Sequence, residues 1–189
     1  MNNQEGVPVA VGSAIMPLTE TGELLSRLFR ENHRRILSAA YRITGSMADA
    51  EDVTQTVFLR LVHGGQMPAT NEGSFLHRAA INGALDLLRR RKVAAADPLE
   101  AAAGVASAAP GNSPEAVAAT NELRQWLRIA ISELAPRAAE MFTLRYLEDL
   151  GNREIAVLMG TSQAVVAVTL HQARSRLKKR LNELERGKQ

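Results

Sequence analysis

The sequence predicts an all-α protein made of two small helical domains joined by a flexible linker, the second containing a helix-turn-helix. Apolar residues recur at helical spacing in two blocks, and no segment reads as a convincing strand. A segment rich in Ala, Gly and Pro separates the blocks and can bury little surface. The chain has 189 residues, enough for two small domains, and only 4% of them are aromatic, so we expect aliphatic cores.

The predicted layout has four parts. Residues 1–20 show no sustained period and are expected to form a flexible N-terminal tail. Residues 21–92 form the first helical domain, residues 93–118 the linker, and residues 119–186 the second domain. No internal repeat is evident, so the two blocks are expected to be different modules.

The first block reads as four helical segments. Apolar stripes around Leu24–Phe29 and Ile36–Ile43 predict the first two, and Gly45 interrupts the pattern. A third helix begins in an acidic turn at Asp49, where carboxylates suit the positive end of a helix dipole.

The remainder of this block predicts a loop and one more helix. Residues 63–73 contain three glycines and a proline, which predicts a loop. Ser74 can cap the fourth helix, which ends in an arginine run.

The second block predicts four helices, of which the last two form the helix-turn-helix. The first is expected from Asn121 to the turn before Pro136, and the second follows that proline. A third short helix ends at Gly160, and Ser162 can cap the fourth. The core stripe of the fourth helix comprises Val166, Leu170, Ala173 and Leu177. Two short helices joined through a glycine turn suit the major groove of DNA.

Positive charge is concentrated in two places, although the net charge of the chain is only +3. Four cations run in a row from Arg89 to Lys92. Seven cations lie between residues 174 and 189, against two glutamates, Glu183 and Glu185. Local patches of this kind point to a polyanion partner. The alternative reading is a solvated helix end favoured by the helix dipole.

Several function classes are excluded or disfavoured by composition. The chain has no cysteine, which excludes disulfides and thiolate metal sites within it. Its four histidines show no metal-ligand spacing, and no phosphate-binding glycine loop precedes a helix. We therefore expect no catalytic residues, no metal, no cofactor and no enzymatic activity. No apolar run is long enough to cross a bilayer and no secretory signal is evident, so no membrane insertion and a cytoplasmic location are expected.

Two motifs carry a resemblance to a known family. The segment DAEDVTQTVFLRL, residues 49–61, resembles the DAEDLVQEVFLRL helix of bacterial RNA polymerase sigma factors of the extracytoplasmic-function (ECF) group, in the sigma-70 family. The segment FLHRAAINGALDLLRR, residues 75–90, is similar to their WLxRIAxNxxxDxLRR helix. The second block, from Leu134 to Arg174, resembles the family's promoter-distal module. The resemblance covers roughly residues 22–92 and 119–184.

The resemblance implies that the chain binds core RNA polymerase and promoter DNA. In the family, the acidic helix docks on a coiled coil of the largest polymerase subunit. The residues that match this role are Asp49, Asp52, Gln55 and Phe58. The alternative for these residues is helix capping and core packing. An anti-sigma protein that hides the polymerase-binding faces is a further candidate partner.

The resemblance also implies contacts with the −10 element of a promoter. The family's loop before the last helix of the first domain captures a flipped base, and here that loop is residues 63–73. Flipping costs a few kcal/mol of stacking, which the pocket must offset. The candidate contacts in the loop and on the following helix are Asn71, Arg78, Asn82, Arg89, Arg90 and Arg91. Asp86 matches the family pattern and is expected to orient a neighbouring arginine.

The second domain departs from the family pattern in its recognition helix. The family's typical GTVKSRLxRAR is here AVVAVTLHQAR, so Ala167, Thr169 and Gln172 stand where cations are frequent. Gly151 also replaces a common Ser cap, while Glu154 remains. Each lost phosphate contact weakens binding and flattens its salt dependence. The remaining −35 candidates are Gln163, Thr169, His171 and Gln172 for base edges, and Arg174, Arg176 and Lys178 for phosphates.

Two other functions stay open beside a promoter-directing sigma factor. A stand-alone helix-turn-helix regulator would leave the acidic helix, the loop and the arginine-ended helix of the first block without a role. A degenerate sigma-like adaptor would bind polymerase without starting transcription, and the unusual recognition helix motivates it.

Overall fold

A computed structural model describes residues 10–11, 14–15, 18–63, 67–68, 71–95 and 114–187. Within them the chain forms seven helices, which confirms the all-α prediction. In order, α1 is Leu18–Thr44, α2 Met47–Val62, α3 Glu72–Ala95, α4 Pro114–Ser132, α5 Pro136–Tyr146, α6 Asn152–Leu158 and α7 Gln163–Gly187. Most of the predicted linker lies outside the described residues.

The N-terminal segment contains two short strands. Strands β1, Ala10–Val11, and β2, Ala14–Ile15, pair antiparallel, with Ala10 opposite Ile15. The expectation that no strand would form is therefore wrong at this point. The strands are two residues long, too short for a period-2 pattern to be read from the sequence. The helix α1 also begins at Leu18, inside the predicted tail.

The first two predicted helices are one helix. The polar stretch between their apolar stripes, residues 30–35, contains no glycine or proline, so nothing ends the helix there. Phe29 and His33, one turn apart, stack with ring centroids 4.9 Å apart. The helix ends at Thr44, just before Gly45, whose φ of 71° is a left-handed conformation that glycine tolerates.

Contacts between Cα atoms divide the chain into two units. The first comprises Met1–Arg42 and Met47–Ala84, and the second comprises Ile43–Ser46 and Leu85–Gln189. This division falls inside α3, before the domain end predicted at residue 92. The four-part domain layout itself stays a prediction.

Each unit has its own aliphatic core. In the first, buried side chains come from α1, α2 and the first half of α3, among them Leu28, Ile36, Val57, Leu76 and Ile81. Glycine 83 in α3 allows close packing on α2, since a Cβ there would lie 3.3 Å from Val53 Cγ1. In the second, α7 packs on α5 and α6 through the predicted stripe of Val166, Leu170, Ala173 and Leu177, all of it buried.

No single helix in the described residues is long and apolar enough to cross a bilayer. The pair α6 and α7 reaches the required length and hydropathy only when both are counted across a bend of 109°.

Candidate nucleic-acid and protein interfaces

Helix α3 presents most of the predicted −10 residues along one side. Asn71, immediately before the helix, is followed by Arg78, Asn82 and Arg89 at steps of seven, four and seven residues, which are close to whole helical turns. Asn82 and Arg78 are half-buried and Asn71 is exposed. Arg91 lies nine residues after Asn82, which is about two and a half helical turns. The helix therefore places it on the opposite side from Asn82.

The arginines at the end of α3 have different surroundings. Arg89 is half-buried, and its Nη1 donates to Asp86 Oδ1 at 2.6 Å, so Asp86 orients this arginine as expected. Within the second unit, Arg89 Nε also donates to the carbonyl of Ser132 at 3.3 Å. Arg90 and Arg91 are exposed. These two bonds hold the side chain of Arg89 in place.

Asn71, rather than Ser74, lies at the cap position directly before the helix. Its φ is 68°, a left-handed value that asparagine tolerates better than most residues. Its carbonyl accepts hydrogen bonds from the backbone N–H groups of Ser74 and Phe75, both at 3.1 Å. The prediction that Ser74 caps the helix is therefore wrong, and the loop is shorter than residues 63–73. The ion pair between Arg27 Nη2 and Glu72 Oε2, 3.0 Å, ties this helix start to α1.

The four predicted polymerase-binding residues of α2 separate into two pairs. Asp52 and Gln55 are exposed, whereas Asp49 is 5% and Phe58 9% exposed. Asp49 lies in the first turn of the helix, and Phe58 packs edge-on against Phe29 of α1, with ring centroids 5.0 Å apart. The positions of Asp49 and Phe58 fit the capping and core-packing alternative, and the polymerase-binding role of all four stays a prediction.

An apolar groove runs between α1 and α2 beside the exposed pair. Its volume is about 450 Å³. Its walls include three large apolar side chains that are substantially exposed: Phe29 at 47%, Leu59 at 53% and Val62 at 41%. Glu51 and Gln55 lie on its rim. We call this surface the α1–α2 groove. Sequence reasoning missed Leu59 and Val62, although α2 has more apolar positions than one buried stripe requires.

The second unit contains the predicted helix-turn-helix. Helices α6 and α7 meet at 109°, within the range of about 90–120° typical of the motif. As expected, no hydroxyl caps α6, and Glu154 Oε2 accepts from the backbone N–H of Gly151 at 2.7 Å. Ser162 caps α7, because its Oγ accepts from the backbone N–H of Val165 at 3.2 Å. Both capping expectations are confirmed.

The turn of the motif depends on Gly160. Its φ is 59°, and a Cβ placed there would meet no heavy atom within 4 Å. Replacement by alanine would therefore cost backbone strain without a packing clash. A left-handed residue with a Cβ costs about 1–2 kcal/mol.

We expect Gly160→Ala to lower the free energy of unfolding of the second unit by about 1–2 kcal/mol, and Gly160→Asn to lower it less, because asparagine visits the left-handed region more readily. Denaturant unfolding followed by the fluorescence of Trp126, the single tryptophan of the chain, measures this. Equal losses for the two variants would contradict the backbone explanation.

Helix α7 exposes most of the predicted −35 residues. Exposed are Gln163, His171, Gln172, Arg174, Arg176 and Lys178. Thr169 is half-buried at the edge of the core stripe, so it is placed less well for base contact. Arg180, further along, forms an ion pair with Glu133 within the second unit, and Lys92 pairs with the same carboxylate. The prediction that these residues bind a −35 element is carried forward as a proposal.

The first turns of α7 contain a second group of residues that the site prediction did not include. Val165 is 46% and Val168 56% exposed, and Ala164 and Ala167 are exposed beside them. The signal was present in the sequence, because these residues are the apolar positions outside the core stripe.

In the described parts of the chain, no group of three or more His, Asp or Glu residues is placed to hold a metal ion.

Two sequence families match the two halves of the chain. Residues 28–93 match the family described as Sigma-70 region 2, and residues 124–177 match Sigma-70, region 4. The first match covers α2 and nearly all of α3, and the second covers the helix-turn-helix.

Curated relatives match across both halves. The ECF RNA polymerase sigma factor SigE of Mycolicibacterium smegmatis is 32% identical over 153 residues, which cover 80% of this chain and 59% of SigE. The RNA polymerase sigma factor CarQ of Myxococcus xanthus is 32% identical over 161 residues, 84% of this chain and 89% of CarQ. Among solved structures, the sigma factor RpoE in complex with the anti-sigma factor NepR from Bartonella quintana aligns at 16% identity, covering 87% of this chain and 98% of RpoE, with a TM-score of 0.48.

Proposed function

The chain belongs to the ECF group of the sigma-70 family, and from that membership we propose that it binds core RNA polymerase, directs it to promoters with −10 and −35 elements, and helps to melt the −10 element. The observation that carries the proposal is the order of two matched regions, the first with an exposed apolar groove and the second with a helix-turn-helix. The chain performs no chemistry itself in this proposal, since nucleotide addition belongs to the polymerase.

The α1–α2 groove is the surface that we assign to polymerase. Exposed phenylalanine, leucine and valine side chains provide apolar area at the centre of an interface, and the carboxylates of Glu51 and Asp52 provide charge near its edge. Gln55 and Leu59 follow Asp52 at steps of three and four residues, so the three lie on one side of α2. An anti-sigma protein that covers this groove would compete with polymerase.

The exposed side of α3 is the surface that we assign to the −10 element. Arg78 and Asn82 are one helical turn apart, and an amide can bond to base edges while guanidinium groups bind phosphate. Asn71 lies at the helix start, where the loop meets this surface. A flipped base held there would be recognised through hydrogen bonds to its edge and stacking.

Helix α7 is the element that we assign to the −35 region. Its exposed His171 and Gln172 offer hydrogen bonds to base edges, and the cations from Arg174 onward offer phosphate contacts. One observation favours the adaptor alternative, in which polymerase is bound without transcription starting. From Gln163 to Ala173, the helix has no lysine or arginine. Fewer phosphate contacts reduce affinity for DNA.

We expect the purified full chain, mixed with bacterial core RNA polymerase and fragmented genomic DNA, to produce discrete transcription starts that share upstream motifs. Sequencing the 5′ ends of the transcripts measures this, with core polymerase alone as the control. Stable binding to polymerase without discrete starts would support the adaptor. Absence of binding, with no regulator in the sample, would overturn the proposal.

A further inference from the structure

The recognition helix carries an exposed apolar surface where a DNA-binding helix usually carries polar side chains. Val168 lies two residues after buried Val166, about 200° round the helix, and Val165 lies one residue before it, about 100° in the other direction. Neither valine belongs to the buried core stripe. Ala164 and Ala167 extend the surface. We call these four residues the α7 methyl patch.

The position of the patch within the motif indicates what it contacts. In a helix-turn-helix, the N-terminal residues of the second helix meet base edges in the major groove. The patch occupies the first two turns of α7, directly after the Ser162 cap. Valine and alanine side chains neither donate nor accept hydrogen bonds. The apolar feature that a base pair presents in the major groove is the C5-methyl group of thymine.

The charge of the helix favours DNA over a protein as the occupant. No Asp or Glu occurs between Gln163 and Asn182, whereas Arg174, Arg176, Lys178 and Lys179 are exposed. Gln172 lies one turn beyond Val168, and glutamine bonds in a bidentate manner to adenine. An A·T pair offers both a thymine methyl and an adenine edge, so one type of base pair satisfies both groups.

We infer that the α7 methyl patch contacts the thymine methyl groups of A·T pairs in the −35 element, with Val165 and Val168 as the specificity-determining side chains. This inference rests on the proposed function. It assigns the sequence preference to apolar contact by Val165 and Val168, which stand where the family's typical motif has Thr and Ser. The element is therefore expected to contain thymine on one strand or the other at the base pairs beneath the first two turns of α7.

The test replaces thymine by deoxyuridine, which removes the methyl group and keeps base pairing. Promoters found by mapping transcription starts are rebuilt with deoxyuridine only in the −35 element. The affinity of each promoter for the holoenzyme, formed from the full chain and core polymerase, is then measured. One buried methyl group is worth about 0.8 kcal/mol, which corresponds to about a fourfold loss of affinity. We expect about a fourfold loss for each thymine contacted. Deoxyuridine placed just outside the element serves as the control.

The double variant Val165→Ala, Val168→Ala separates this contact from other causes. Both side chains are exposed, so the variant is expected to keep its fold, which its helical circular dichroism and Trp126 fluorescence check. In this variant, deoxyuridine should cost less than twofold, because the partner of the methyl group has been removed.

Three results would overturn the inference while leaving the proposed function intact. The first is discrete transcription starts together with equal binding of the holoenzyme to thymine and deoxyuridine versions of the −35 element. The second is a −35 element made only of G·C pairs. The third is a double variant that loses affinity for core polymerase but not for the −35 element. The last result would identify the patch as a protein-docking surface. Failure to bind polymerase or to produce discrete starts would instead overturn the proposed function and the inference with it.

Discussion

Leu59→Asp is expected to lower the affinity of the chain for core RNA polymerase by about thirtyfold, which corresponds to the roughly 2 kcal/mol typical of an interface hot spot. Leu59 is 53% exposed and lines the α1–α2 groove beside Phe29 and Val62. An aspartate at this position would place a carboxylate in an apolar contact without a partner, and burial of an unpaired charge is costly. Binding of labelled chain to core polymerase, measured by fluorescence anisotropy, gives the affinity.

Leu123→Asp provides a matched control. Leu123 is also 53% exposed and also lies on a helix, α4, outside the α1–α2 groove. The two substitutions therefore have similar expected costs in helix propensity and in lost surface burial. We expect Leu123→Asp to leave the affinity for polymerase within twofold. If both variants lost affinity equally, the groove would not be the docking surface.

The helix ends that could be predicted from the sequence are those marked by a proline or a glycine. Pro136 and Gly160 mark ends that the structure places within a few residues of the predicted positions. Proline and glycine have strong local conformational preferences, so the positions of these helix ends can be predicted from the sequence alone. The break predicted after Phe29 lacked such a residue, and α1 continues through it. A polar interval in an apolar stripe is therefore weaker evidence for a helix end than a glycine or proline.

The candidate surfaces were harder to predict than the helices. The family resemblance assigned Asp49 and Phe58 to an interface, with capping and core packing as the alternative, and both side chains are nearly covered in the structure. Which side of α2 faces solvent depends on where α1 lies, and the sequence does not state that. Conversely, the sequence analysis did not single out Leu59 or Val62, and the packing shows both of them exposed. Residue type suggests a chemistry, whereas exposure decides whether a partner can reach it.

Along α3, the spacing of the candidate residues divides them between two sides of the helix, a distinction that the sequence analysis did not draw. Arg78, Asn82 and Arg89 fall on one side because their spacings are near multiples of the helical period. The same rule separates Arg91 from them. The sequence predicted that Asp86 orients a neighbouring arginine, but it could not show that this arginine is Arg89 or that Arg89 also donates to the carbonyl of Ser132, which reduces its freedom to reach DNA. Asn82 is therefore the more informative position for a test of this surface.

Asn82→Ala is expected to reduce promoter opening by about tenfold while changing the affinity for core polymerase less than twofold. An amide that bonds to a base edge contributes about 1–3 kcal/mol of discrimination. This energy is available only after the −10 strand has been separated from its partner, so its loss affects the open complex and not holoenzyme assembly. Permanganate reactivity of unpaired thymines measures opening, and anisotropy on core polymerase measures assembly.

The control for this change is Asn121→Ala, which removes a half-buried asparagine from α4, outside the proposed −10 surface. It should leave both opening and assembly unchanged. Equal losses of opening and of polymerase binding in Asn82→Ala would mean that the side chain supports the fold of the first unit and not the separated strand. Unfolding of the variant distinguishes that cause, because a base-contacting role predicts a stability within about 0.5 kcal/mol of the unsubstituted chain. The split between opening and assembly is therefore the property that identifies α3 as a strand-binding helix.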